Sequence, residues 1–210
     1  MTRALTPKGA ATRLRIIEGA AAEIRENGVA TTTLDDVRVR TGTSKSQLFH
    51  YFPEGKEELL LAVARHEAER VLTDQQPHLG ALTSWDAWRA WRDTVVERYR
   101  RQGRHCPLNA LMSQLGRSTP GAQAVVNGLV DRWQAELAAG VRHLQAAGEV
   151  DPGLDAERTA SSILAGVQGG VMLLMSTGRV THLEAALDTG IEHLRRSRPA
   201  PVSGDGAVRG

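Results

Sequence analysis

Lys45, Ser46, Phe49 and His50 bring a cation, a hydroxyl, an aromatic ring and an imidazole into one short stretch. On a helix these positions fall within one side of the cylinder. Such a face suits phosphate oxygens and the edges of bases. The same composition also describes a solvated helix surface. Spacing alone therefore leaves two readings, a nucleic-acid contact or a short helical hairpin facing water.

The elements that must position these residues are legible around them, in TLDDVRVRTGTSKSQLFHYFPEGK from Thr33 to Lys56. Ser44 and Gln47 have the spacing of a capping box, with the hydroxyl bonding the amide three residues on and Gln47 reaching back. Thr33-Leu34-Asp35-Asp36 opens a first helix in the same manner, with acids near the positive end of its dipole. Thr41-Gly42-Thr43 supplies the turn between them. Leu34, Val37 and Thr41 share one face of the first helix, and Leu48, Tyr51 and Phe52 one face of the second. Two short capped helices joined by a glycine turn fit a helix-turn-helix, whose second helix enters the major groove of DNA.

At these residues the chain resembles the tetracycline-repressor family. The family pattern appears as Thr31-Thr32-Thr33, Thr41-Gly42, Ser44-Lys45, Leu48-Phe49-His50-Tyr51-Phe52 and Lys56-Glu57-Glu58-Leu59. With the preceding amphipathic helix it covers about the first quarter of the chain. The Phe-Pro-Glu-Gly-Lys junction has one residue more than the common form. Together with Cys106-Pro107-Leu108 it is similar to a subgroup containing lincomycin-resistance and flavonoid-responsive repressors. The resemblance implies that Thr33 and Ser44 hold phosphates, that Lys45, Ser46 and His50 meet base edges, and that Tyr51 and Lys56 clamp phosphate. Phe49 stands where the family often has Tyr, leaving only an apolar contact, and Ser46 stands where Gly is frequent. Arg38 and Arg40 have two readings, phosphate contact or solvated face.

Composition bounds the remainder. The chain has 210 residues, with 41% hydrophobic and 24% charged content, as expected of a globular protein with a sizeable core. No apolar run opens the sequence, so no signal peptide is expected. Ile163 to Met175, the longest apolar region, reads as too short to span a bilayer. One cysteine forms no internal disulfide, which suits the cytoplasm. Residues 1–56 hold nine Lys and Arg against six acids, and the rest hold 17 against 18. This asymmetry agrees with phosphate contact at the N-terminal end.

The fold class is all-α, with about nine helices read from apolar periodicity. Residues 1–10 read as a flexible arm, with Pro7 and Gly9 as breakers, followed by a helix from about Ala11 to Asn27 carrying Leu14, Ile17, Ala21 and Ile24. Further helices are predicted from Lys56 to about Thr73, from Ser84 to about Gln102, from Pro107 through Leu115, from Pro120 to Gly148, after Asp155, and after a capping box at Thr181-His182-Leu183-Glu184. The predicted organisation is a DNA-binding head over 1–55, a ligand-binding and dimerisation domain over 56–196, and a disordered tail over 197–210.

In that second domain, tryptophans and methionines at helical spacing read as core, or as the lining of a pocket for a flat apolar molecule. The resemblance implies such a pocket, for which Trp85, Trp88, Met112, Leu115, Trp133, Gln168 and Met172 are the candidates. Gly166, Gly169 and Gly170 each cost roughly 1 kcal/mol in a helix interior and so need a reason, such as close helix approach. The resemblance implies that the last two helices pair with a second subunit, with Ile163, Val167, Gly170, Leu187 and Ile191 at the interface. His105 and Cys106 are adjacent and form no nucleophile–base pair. Seven histidines show no metal-ligand spacing, and no catalytic motif is present, so neither enzyme activity nor a metal or other cofactor is expected. The expected partners are double-stranded DNA with a palindromic operator, a small-molecule effector and a second copy of the chain, with no membrane. The rival readings are a DNA-binding regulator without a ligand and an enzyme in the helical domain.

Overall fold

The structure, a computed structural model, describes residues 5–104, 108 and 120–197. Among the described residues there are eight α-helices and no strand. They are α1 (Pro7–Asn27), α2 (Leu34–Thr41), α3 (Lys45–Tyr51), α4 (Lys56–Thr73), α5 (Trp85–Gln102), α6 (Pro120–Ala146), α7 (Ala156–Thr177) and α8 (Thr181–Arg196). A 3-10 turn, Leu79–Ala81, lies between α4 and α5. The helix predicted from Pro107 to Leu115 lies outside the described residues except for Leu108, as do His105, Cys106, Met112, Leu115 and the tail after 197.

The first helix begins earlier than its sequence suggests. Pro7 starts it rather than breaking it, because an amide at the first helical position has no partner to lose. The Thr6 hydroxyl caps the turn by accepting from the Gly9 amide at 3.2 Å. Residues 7–10 are therefore helical and not a flexible arm. Ile16, Ile17, Ala20, Ala21 and Ile24 form the buried face, whereas Leu14, expected there, is exposed.

Two apolar cores result, and α4 takes part in both. Its first half, with Leu59, Leu60 and Val63, packs with Ile16, Ile24, Val37, Leu48 and Phe52. Its second half, with Val71 and Leu72, joins a larger core centred on Trp88, Trp91, Trp133, Leu137 and Leu183. One continuous helix thus ties the head to the body.

Gly166 and Gly170 of α7 are explained by how closely α8 crosses it; Gly169 has open space beside it. A β-carbon on Gly170 would stand 2.5 Å from the Leu183 Cα, and one on Gly166 would stand 3.3 Å from the Ala186 Cβ. Backbone cannot yield as a side-chain tip can. Gly170→Ala is therefore expected to lower stability by about 1–3 kcal/mol, the usual cost of overpacking. An unchanged thermal midpoint would show that the helices separate freely there.

Two further expectations need correction. Helix α8 starts at Thr181 itself, so Val180 is its N-cap, and no side chain caps it. Helix α7 extends to 22 residues and, with mean hydropathy 1.3, is long and apolar enough to cross a membrane by length and composition. Packing accounts for part of its apolar content, since Ile163, Leu164, Val167, Val171 and Leu174 are buried in the larger core, while Met172 and Leu173 are exposed.

Candidate nucleic-acid interface

Both short helices of the head are held by the caps their sequences encode. In α2 the Thr33 amide and hydroxyl both donate to the Asp36 carboxylate, at 2.8 and 2.6 Å, and the Asp36 amide donates back to the Thr33 hydroxyl at 3.2 Å. In α3 the Gln47 amide donates to the Ser44 hydroxyl and the Ser44 amide to the Gln47 side chain, each at 3.1 Å. Gly42 turns the chain between them with φ +59°, a left-handed conformation that glycine adopts without strain. The Thr41 and Thr43 hydroxyls bond to each other at 2.8 Å beneath that turn.

These caps fix which faces look out. Leu48 and Phe52 are fully buried, and the Arg13 guanidinium sits 5.1 Å from the centre of the Phe52 ring. Lys45, Ser46, Phe49 and His50 are all exposed, on one side of α3. The structure brings these four together as the spacing requires. The His50 ring meets Tyr51 edge-on at 4.9 Å.

The flanking candidates divide by how their donors are already used. The Ser44 hydroxyl accepts within the cap and keeps its own proton for an outside acceptor. The Thr33 hydroxyl spends its proton on Asp36, so it serves its helix first. Lys56 turns its ammonium to the Val29 carbonyl at 3.3 Å and must swing away to reach a phosphate. Arg40 is held by Glu23 (2.6 Å) and Glu26, bolting α2 to α1. Arg38 pairs with Asp35. Arg40 is thus engaged on two acids, whereas the Arg38 Nε has no partner among the described residues.

The Phe52–Lys56 junction places a glycine at the head of α4. Gly55, with φ +75°, is the N-cap of α4 and carries no side chain there, leaving the first amides of that helix uncapped. A β-carbon at Gly55 would lie 3.8 Å from the Phe49 ring. The start of α4 is thus brought beside the exposed face of α3, where an anion is favoured by a helix N-terminus. The first turn of α1 also belongs to this region. A β-carbon at Gly9 would lie 3.6 Å from the Tyr51 hydroxyl. The Thr6-Pro7 pair, a cap followed by proline, is the signal that locates this turn.

The Asp36 cap makes a pH prediction. The side-chain and backbone hydrogen bonds from Thr33 hold the Asp36 carboxyl below the usual carboxylate range, with Lys56 adding to the effect. A lowered folded-state value stabilises the fold above the ordinary aspartate range, and this is lost as pH falls through the lowered value. Asp36→Asn is expected to remove that part of the acid-side dependence in thermal melts taken down the pH scale. Parallel curves for the two proteins would contradict the cap's role.

The body candidates are not brought to one place. Trp88 and Trp133 are fully buried in the larger core, and their indole N–H groups have no hydrogen-bond partner among the described residues. Trp91 donates to Gln75 at 2.8 Å and half-buried Trp85 to Glu149 at 3.0 Å. Gln168 and Met172 lie on the opposite, exposed face of α7, Met172 at 62% exposure, so neither joins the tryptophans. The expected interface residues Ile163, Val167, Gly170, Leu187 and Ile191 are all buried inside the protomer. Ile163, Val167, Leu187 and Ile191 belong to the larger core, and Gly170 is buried against Leu183. The face left open carries Ser162, Ala165, Gly169, Met172 and Leu173, beside a groove of about 660 Å³ between α7 and α8.

Comparison with known proteins agrees with this architecture. Residues 16–63 match the family described as bacterial regulatory proteins, tetR family, and residues 83–189 match the tetracyclin repressor-like C-terminal domain. A TetR transcriptional regulator from Chloroflexus aurantiacus J-10-FL is 27% identical over 93% of this chain and all of its own, with a TM-score of 0.76. SmeT, the repressor of the Stenotrophomonas maltophilia multidrug efflux pump SmeDEF, shares the fold, at 23% identity over 88% of this chain and 91% of its own, with a TM-score of 0.64. Two uncharacterised HTH-type transcriptional regulators of Mycobacterium tuberculosis strains are 29% identical over 110 residues, half of this chain and 53% of theirs. The chain thus spans about half the length of the curated relatives it matches. Matched in its head and through half its length in its body, the chain belongs to the tetracycline-repressor family.

Proposed function

We propose that the chain is a DNA-binding transcriptional regulator, a repressor that leaves a palindromic operator when a small apolar or aromatic molecule enters the body. One observation carries the reading: a capped seven-residue helix, α3, anchored by buried Leu48, holds Lys45, Ser46, Phe49 and His50 outward together. A helix so presented is the form that enters a major groove. The first amides of α4, the Ser44 hydroxyl and the Tyr51 hydroxyl flank it as phosphate contacts.

The dimer forms through the outward faces of α7 and α8, with Ser162, Gly169, Met172 and Leu173 where a second copy packs. Small residues along such a face let two helices approach closely, and a two-fold pair reads two half-sites. The effector occupies the body, where the indole N–H groups of Trp88 and Trp133 have no partner among the described residues and could meet an acceptor if the core opened. An effector that prefers a dimer with its heads misplaced for DNA weakens operator binding, and DNA weakens effector binding equally. Helix α4, shared by both cores, is the mechanical link. The protein works in the cytoplasm, where its DNA is.

Selection of bound fragments from sheared genomic DNA, followed by footprinting, tests this. The expected result is one recurring sequence with two half-sites related by a two-fold axis. Fragments sharing no sequence would reduce the head to a basic surface.

A further inference from the structure

Below the head, α1, α4 and α5 enclose a cleft of about 720 Å³ whose walls are almost entirely charged. Arg25 comes from α1, Glu67, Arg70 and Asp74 from α4 and the residue after it, and Arg98 and Arg101 from α5. Glu26 also lines it but is engaged by Arg40. Four guanidiniums therefore line it with three carboxylates, an excess of one positive charge. Arg101 reaches Glu97 outside the lining only at 3.6 Å.

Two of these charges are buried and incompletely paired. Glu67 is 4% exposed, and its Oε1 accepts no hydrogen bond; Arg70 stands 3.5 Å away and Arg25 3.9 Å. Arg98 is 9% exposed; its Nε donates to Asp74 at 3.1 Å, and its Nη1 has no acceptor among the described residues. A buried donor or acceptor without a partner is costly, more so when charged. Here an unmet cationic donor and an unmet anionic acceptor line the same cleft. Arg70 and Arg101, at 46% and 72% side-chain exposure, stand at its mouth with room to move.

We propose that this cleft binds a small oxyanion that itself carries an O–H donor, the chemistry shared by hydrogen phosphate and by a hydroxycarboxylate. The anionic oxygens take the Arg98 and Arg101 guanidiniums, for which charge-assisted hydrogen bonds are the strong kind. The O–H donates to Glu67. An oxyanion without that proton, such as sulfate, places its lone pairs against the carboxylate and is rejected. Because Arg25 belongs to the head, an anion held here also ties head to body.

Calorimetric titration of the full chain, at fixed ionic strength and without DNA, tests the site with inorganic phosphate, malate and sulfate. The expected result is saturable binding of phosphate or malate, one per protomer, with sulfate at least about tenfold weaker. Phosphate alone or malate alone would identify which source fits. Arg101→Ala, at an exposed position, is expected to weaken binding by at least about tenfold, whereas Arg89→Ala, outside the cleft, leaves it unchanged. Glu67→Gln is expected to abolish the discrimination against sulfate. No saturable heat with either probe, equal sulfate affinity in the unaltered protein, or equal losses from Arg101→Ala and Arg89→Ala would each overturn the proposal. None of these readouts depends on how the head meets DNA.

Discussion

Phe52→Ala is expected to melt the reading head while the body stays folded. Phe52 is fully buried where α3 meets the first half of α4, in a core of small and medium side chains around Ile16, Ile24, Val37 and Leu48. Removing a buried phenyl ring costs about 3–5 kcal/mol in lost transfer energy and cavity. A whole domain is typically stable by only about 5–15 kcal/mol, and this head is small. The larger core does not include Phe52 and should retain its helices. Thermal unfolding followed by circular dichroism should therefore separate into an early and a late step, with DNA binding lost at the first. A single transition at the unaltered midpoint would mean that the head core contributes far less than its burial implies.

Lys45→Ala and His50→Ala are expected to act in the opposite way, sparing the fold and reducing operator affinity. Both side chains are exposed, and neither belongs to an apolar core. A side chain paired with a base edge is worth about 1–3 kcal/mol, so each substitution should weaken binding by about fivefold to a hundredfold. The salt dependence separates the two roles. Loss of a phosphate contact weakens all sequences alike and lowers the salt slope by about one, while loss of a base contact relaxes specificity at one position. Unchanged affinity for both variants would remove α3 from the reading role.

The head was legible in the sequence because its signals are local. Thr33 with Asp36, Ser44 with Gln47, and Gly42 each act within a few residues, and the structure forms both capping boxes and the left-handed turn. The faces of α7 and α8 were not legible, for a physical reason. Apolar residues at helical spacing show that a face is buried without showing what buries it. Ile163, Val167, Leu187 and Ile191 carry that pattern, and they are buried in the protomer's own larger core. The open face is made of Ser162, Ala165, Gly169 and other small residues, which a hydrophobic period passes over. Residue type groups Gln168 and Met172 with the tryptophans, whereas helical geometry places them on the far side of α7 from its core. The start of α1 is hard to read because Pro7 looks like a breaker, although Thr6 caps the helix that Pro7 begins. The buried pair Glu67 and Arg98, 31 positions apart in sequence, leaves no local pattern at all.

The most direct measurement is fluorescence-anisotropy binding of the full chain to the DNA upstream of its own gene, with excess nonspecific competitor, at two salt concentrations. The expected result is tight binding that survives competitor and weakens as salt rises, as phosphate neutralisation requires. Binding abolished by competitor, there and with genomic fragments, would contradict the central claim and leave the head a basic patch on a helical body.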